Sequence, residues 1–288
     1  MIDDFSIPVS VARVCHRNIR EKQECGFEFF IVKRTDVTLT KDLLILVAAF
    51  GAGAVNAVAG GGSLISFPAL LAVGLPPVAA NVTNSIAVWP GYVGSVIPYR
   101  KHIQAQKERA KEITGISIAG AVIGTVILLE APPSIFKVLV PYLIFAATTL
   151  LLIQKHMLAF FSKRTATHPR RSQMSLYGGV FLASVYGTYF GAGLGIMLLS
   201  ILASFIIEDL QRLNGLKTLL SLVIATIGSV IYAIFAPVSW IAVAIMAVAS
   251  LLGGYFGAGV ARKLSPKALK ISVIAFGYTI GLIILVHG

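Results

Sequence analysis

The stretch VNAVAGGGSLISFPALL, Val55 to Leu71, sits inside a long apolar run yet holds an asparagine, three consecutive glycines, a serine and a proline. Gly60, Gly61 and Gly62 make the backbone easy to bend and costly to hold helical. The pattern predicts a helix break there and a new, short helix from Ser63. A helix that starts at membrane depth leaves amide N–H groups unpaired at its N-terminus. Those amides, with the helix dipole, attract an anion. Gly60, Gly61, Gly62 and Ser63 are therefore candidates for half of an anion cradle. Close helix packing through small residues, or a plain turn, is the competing reading. Asn56, one turn before the glycines, is placed either to cap the broken end or to face the ligand.

The sequence around the break sets the class. Of 288 residues, 57% are hydrophobic and 12% charged, against about 25% charged in soluble domains; mean hydropathy is +0.86. Leu43–Tyr99 and Thr218–Ala261 contain no Asp, Glu, Lys or Arg. A bilayer-crossing helix needs about 20 apolar residues. The chain reads as an all-α polytopic membrane protein. Ten apolar segments follow a polar N-terminal extension, 1–42: Leu43–Ala59, Ser63–Gly74, Val78–Tyr99, Ile113–Leu129, Ile135–Ile153, Ser175–Phe190, Gly193–Ile207, Gly215–Phe235, Val238–Val260 and Ala268–Val286. Two are short. Ser63–Gly74 covers about 18 Å as a helix and Gly193–Ile207 about 22 Å, against a hydrocarbon core of about 30 Å. Each follows a glycine cluster, the second being GAGLG at 191–195.

The halves align at an offset of 133 or 134 residues. Gly60 falls on Gly193, GSVI at 94–97 recurs at 228–231, Gly120 and Gly124 fall on Gly253 and Gly257, and PSIFKVLV at 133–140 falls on PKALKISV at 266–273. The expected organisation is a first transmembrane repeat, 43–153, a basic linker, 154–174, and a second repeat, 175–288. Two repeats of five segments, an odd number, take opposite orientations in the bilayer, the inverted plan of many secondary transporters. Loop charge agrees. Loops Arg100–Lys111, Lys155–Arg171, Glu208–Lys217 and Arg262–Lys267 hold five, five, two and three basic residues. The positive-inside rule puts that side in the cytoplasm. The same placement ties the net charge of +12 to topology and anionic lipid rather than nucleic acid.

The second half of the cradle falls on Gly191, Gly193 and Gly195. NVTNS supplies Asn81, Thr83, Asn84 and Ser85, and its counterpart NGLKTLLS supplies Asn214, Lys217, Thr218 and Ser221. Asparagine amides can bind an oxyanion without a full ionic desolvation cost. Thr83, Asn84, Asn214, Lys217 and Thr218 complete the candidate substrate set. Lys217 fits two roles, a counter-charge for a bound anion or an anchor snorkelling to headgroups. No Asp, Glu or His lies deep in an apolar segment, and no catalytic set, metal-ligand spacing or P-loop is visible. The expectation is a non-enzymatic permease with no cofactor and no metal, whose partners are a small anion and membrane lipid. The small-residue face Gly120–Gly124 could pack within the chain or in a homo-oligomer.

At NAVAGGGSLISFPALLAVGLPPVAANVTNS and at LNGLKTLLSLV the sequence resembles the sulfite exporter TauE/SafE family of membrane permeases, over nearly all of Leu43–Val286. The second repeat departs from the pattern, with no proline matching Pro68 and Leu194 interrupting the glycines. The resemblance implies transport of small sulfur-containing or organic anions, such as sulfite or sulfonates, across the bacterial cytoplasmic membrane. The rival readings are an anion channel built on the same cradle and a non-transporting membrane scaffold.

Overall fold

The structure is a computed structural model that describes residues 39–58, 61–162, 169–260 and 266–287. Among them the chain forms α1 Leu39–Val58, α2 Ser63–Ala72, α3 Pro77–Val96, a 3₁₀ turn Ile97–Tyr99, α4 Arg100–Gln104, α5 Lys107–Glu130, α6 Pro133–Ser162, α7 Pro169–Tyr189, α8 Leu194–Phe205, α9 Leu210–Phe235, α10 Trp240–Val260 and α11 Pro266–His287. Windows in α1, α5, α6 and α9 are long and apolar enough to cross a membrane; α2, α8 and parts of α10 and α11 are shorter apolar helices. The fold is all-α and polytopic.

Local chemistry explains the boundaries. Proline opens α3, α6, α7 and α11, where its missing N–H costs nothing and its fixed φ suits a helix start. The α2 helix ends on Gly74 at φ 97°. Leu75 N–H donates to the Leu70 carbonyl at 3.1 Å and Gly74 N–H to the Leu71 carbonyl at 2.9 Å, the paired bonds that close a helix on a left-handed residue. Asp209 caps α9, its carboxylate accepting from the amides of Gln211 at 2.8 Å and Arg212 at 2.9 Å.

Two of the connections between apolar segments are themselves largely helical. α6 continues to Ser162 and α7 begins at Pro169, so helix occupies most of the expected linker. The segment QKHMLAFF, 154–161, contains no glycine or proline and consists largely of good helix formers. The loop expected at Arg100–Lys111 is also structured, holding α4 and the first turn of α5.

The most extensive helix pairings each join a helix of the first half to one of the second: α1 with α10, α3 with α10 and α9, α5 with α7 and α9, and α6 with α11. Small residues set these approaches. A Cβ on Gly53 would collide with the Ser250 carbonyl, one on Gly253 with the Phe50 carbonyl, and one on Gly124 with the Val185 carbonyl. The Gly120–Gly124 face is thus occupied inside the chain, by α7. Residue contacts fix direction. Ser229 Oγ reaches the Ser85 carbonyl at 3.4 Å and Trp89 Nε1 donates to Thr226 Oγ1 at 2.8 Å, so α3 and α9 run antiparallel. The α6 and α11 helices do too, with Thr148 beside Gly277 and Phe145 beside Gly281.

Candidate functional site

The first break is an ordered turn. Gly61 adopts φ 123°, a conformation that side chains with a Cβ rarely take. Asn56 Oδ1 accepts from Gly61 N at 3.1 Å and from Gly62 N at 2.7 Å. Asn56 therefore caps the break, and two of the amides expected to face an anion are already satisfied. Gly62 packs so closely that a Cβ there would collide with the Ala52 carbonyl. Gly60 lies outside the described residues. Ser63, 5% exposed, is the part of this break that reaches open space.

The second break has a different construction. Gly191 and Gly193 hold φ 77° and 78°, and no side chain caps α8. The end of α7 is tied down instead: Asn81 Nδ2 donates to the Tyr189 carbonyl at 2.9 Å, Tyr186 OH to the Ala192 carbonyl at 2.7 Å, and Tyr232 OH to the Thr188 carbonyl at 2.6 Å. Gly195 lies in the first turn of α8 and is buried.

The two breaks meet. A Cβ on Gly61 would stand 3.9 Å from Ile196 Cδ1 of α8, and Phe67 of α2 packs edge-on against Phe190 at 5.3 Å between ring centroids. A cavity opens at this junction. Ser63 and Gly191 line it, with Ser85 and Tyr92 of α3, Thr188 of α7 and Tyr232 of α9 among the other walls. Its open interior is about 20 Å³, enough for about one water. The hydroxyl-bearing walls Ser85, Tyr92, Thr188 and Tyr232 are not in the candidate set. Ser85 was visible in NVTNS, but a tyrosine in an apolar run reads from sequence as core filling.

The remaining candidates separate. Thr83 Oγ1 accepts from Ser239 N at 3.1 Å, a structural link. Thr218 Oγ1 donates to the Asn214 and Gly215 carbonyls, each at 3.0 Å, and Asn214 is half-buried. Asn84 is 2% exposed and its Oδ1 has no hydrogen-bond partner. Lys217 is 3% exposed, and no hydrogen bond or ion pair to it is found among the described residues. A headgroup anchor would show a largely exposed side chain; Lys217 is 3% exposed. No group of three or more potential metal ligands occurs among the described residues.

Two of the basic loops are joined to each other. Gln106 Nε2 donates to the Arg212 carbonyl at 3.2 Å. Glu208 bridges Arg109 at 3.4 Å and Arg212 at 2.8 Å. The start of α5 is thereby joined to the start of α9.

The sequence profile described as "Sulfite exporter TauE/SafE" matches residues 45–284. The chain belongs to that family. Among curated proteins, a "Probable membrane transporter protein" of Haemophilus influenzae is 22% identical over 250 residues, covering 84% of this chain and 94% of that relative. A "Probable membrane transporter protein ORF9" of a Sinorhizobium species is 31% identical over 102 residues, covering 35% of this chain and 39% of the relative. No solved structure matches. This TauE/SafE member is a multi-pass membrane protein from a family of membrane transporters.

Proposed function

We propose that this protein is a secondary transporter of small anions, of the sulfite and sulfonate class or related organic anions, in a bacterial cytoplasmic membrane. Two inverted repeats move against each other to give alternating access. The observation that carries the reading is the meeting of two broken helix starts at one cavity with hydroxyl groups in its largely apolar wall, with Ser63 from one half and Gly191 from the other. Counterpart helices that run antiparallel support the inversion. Buried Lys217 supplies positive charge without a bound acid, and the described acids lie within the first two turns of a helix, at a helix end or between helices. Both favour an anion over a cation. No Asp or Glu lies in the middle of a described span, where a carboxylate proton relay would need one.

The test is flux of a panel of anions, including sulfite, methanesulfonate, sulfate and acetate, through the full chain in sealed liposomes. Saturable flux with a preference among them is expected. Flux linear in concentration to high millimolar would favour a channel, and no flux above empty liposomes would overturn the transport reading. Gly61→Val, which puts a β-branched residue at φ 123°, is expected to abolish flux while protein remains in the membrane.

A further inference from the structure

The cavity occupies only one of two related positions. On α3 it is lined by Ser85, Val88 and Tyr92. At the 133-residue offset these fall on Thr218, Ser221 and Ala225 of α9, and Asn84, just before Ser85, falls on Lys217. Ala225 lines the same cavity, while antiparallel packing of α3 and α9 sends Ser85 and the Lys217–Thr218–Ser221 group toward opposite ends of the helix pair. Ser85 lies level with Ser229 and Trp89 with Thr226, which puts Lys217 level with the C-terminal end of α3. Gly215 confirms the register, since a Cβ there would stand 3.4 Å from His102 and Ile103. Lys217 thus lies beneath the basic, cytoplasmic surface.

The Asn84 end is partly open, with Ser85 and Tyr92 half-buried. The Lys217 end is closed, with Thr218 and Ser221 each 2% exposed and Ser95 5%. Yet the closed end holds polar groups that gain nothing from closure. Lys217 is buried, with no hydrogen bond or ion pair found to it among the described residues, and the buried Ser221 Oγ, one turn further along the same face, has no partner. A buried cation without a partner is strongly disfavoured, and a buried hydroxyl without one costs less but in the same direction. Residues 217, 221, 224 and 228 share one face of α9, and Ile224 and Gly228 line the cavity. Lys217 stands about 10 Å below Ile224 along the helix.

We infer that Lys217, Ser221 and Thr218 form a second, cytoplasm-facing vestibule of the same pathway, closed in this structure, which opens when the Ser85–Tyr92–Tyr232 cavity closes. In the open vestibule the Lys217 ammonium pairs with the oxyanion. At the other end the hydroxyl-bearing lining of the cavity, Ser63, Ser85 and Thr188 among it, carries no charge. The inference rests on the transporter reading and adds to it where the counter-charge lies and in which state the anion meets it.

The experiment uses the full chain with Cys15 and Cys25 replaced by serine, in oriented vesicles, with a membrane-impermeant thiol reagent and methanesulfonate as probe, since sulfite itself attacks such reagents. Ser221→Cys is expected to react from the cytoplasmic side alone and Ser85→Cys from outside alone. Thr218→Cys serves as second reporter if Ser221→Cys does not fold. Lys217→Gln is expected to weaken methanesulfonate protection of Ser221→Cys about tenfold or more, and Lys217→Arg to restore most of it. Methanesulfonate flux is measured on the same vesicles. If flux persists while the α9 cysteines stay inert, or react from outside, the vestibule is wrong and the transport reading stands. If no tested anion is carried, the transport reading itself falls. Unchanged protection in Lys217→Gln would remove the lysine from the pathway.

Discussion

At the scale of single residues, Asn56 has the clearest energetic role. One oxygen satisfies two amides at the first break. Asn56→Ala leaves both donors unpaired in a buried turn, at a cost of about 1–3 kcal/mol each. A lower melting temperature in detergent is expected, with substantial recovery in Asn56→Asp, which keeps an acceptor. An unchanged melting temperature would show that the cap is dispensable. Gly61 and Gly74 make a matched pair, since both hold positive φ and both have room for a methyl group. Alanine at either costs similar backbone strain, about 1–3 kcal/mol. Only Gly61→Ala, at the junction of the breaks, is expected to slow anion flux; equal flux in the two variants would argue that the break is a packing device. NAVAGGGS announced a break and Asn56 was legible as its cap or a ligand contact. That the cap consumes two cradle amides was not legible, because it depends on where the turn brings residue 56 relative to residues 61 and 62.

At the scale of elements, the glycine faces decide which helices touch. Gly253→Leu puts a branched side chain where even a Cβ meets the Phe50 backbone. It is expected to destabilise the α1–α10 pair by at least the 1–3 kcal/mol typical of overpacking, read as reduced folded yield and a lower unfolding temperature. Leucine at Gly51, where nothing stands within 4 Å, is the control that should behave as wild type. The start of α9 adds a pH dependence. The Asp209 carboxyl is held below its usual pKa, first by the Arg212 amide. A depressed carboxylate gives stability that is present above its unfolded value and lost as pH falls through the folded value. Fraying of α9 is expected only under acid conditions below the ordinary aspartate range, and Asp209→Asn should weaken that dependence. Helix starts at Ser63 and Leu194 agree with the sequence reading to within a residue, because glycine clusters and the loss of apolar character coincide there. Helix partners were not legible. A small-residue spacing says that something approaches closely, and the something lies in the other half of the chain.

At the scale of the whole molecule, sidedness is the open quantity. A cysteine at Gln104, exposed on α4, should react with an impermeant reagent from the cytoplasm, and one at Ser134, exposed at the start of α6, from outside. Reaction of both from one side would exclude the inverted arrangement. The crossing of helices between halves has a further consequence, for synthesis. α1 ends at Val58 and its main partner α10 begins at Trp240. At translation rates of about 5–20 residues per second, the close-packing face of α1 waits roughly 10–40 s in the bilayer before its partner is made. The same delay leaves Gly53 and Phe50 open to other small-residue helices in the meantime. The nascent first half is therefore an assembly intermediate with an unfilled groove, and its fate depends on what the insertion machinery keeps beside it until the second half arrives.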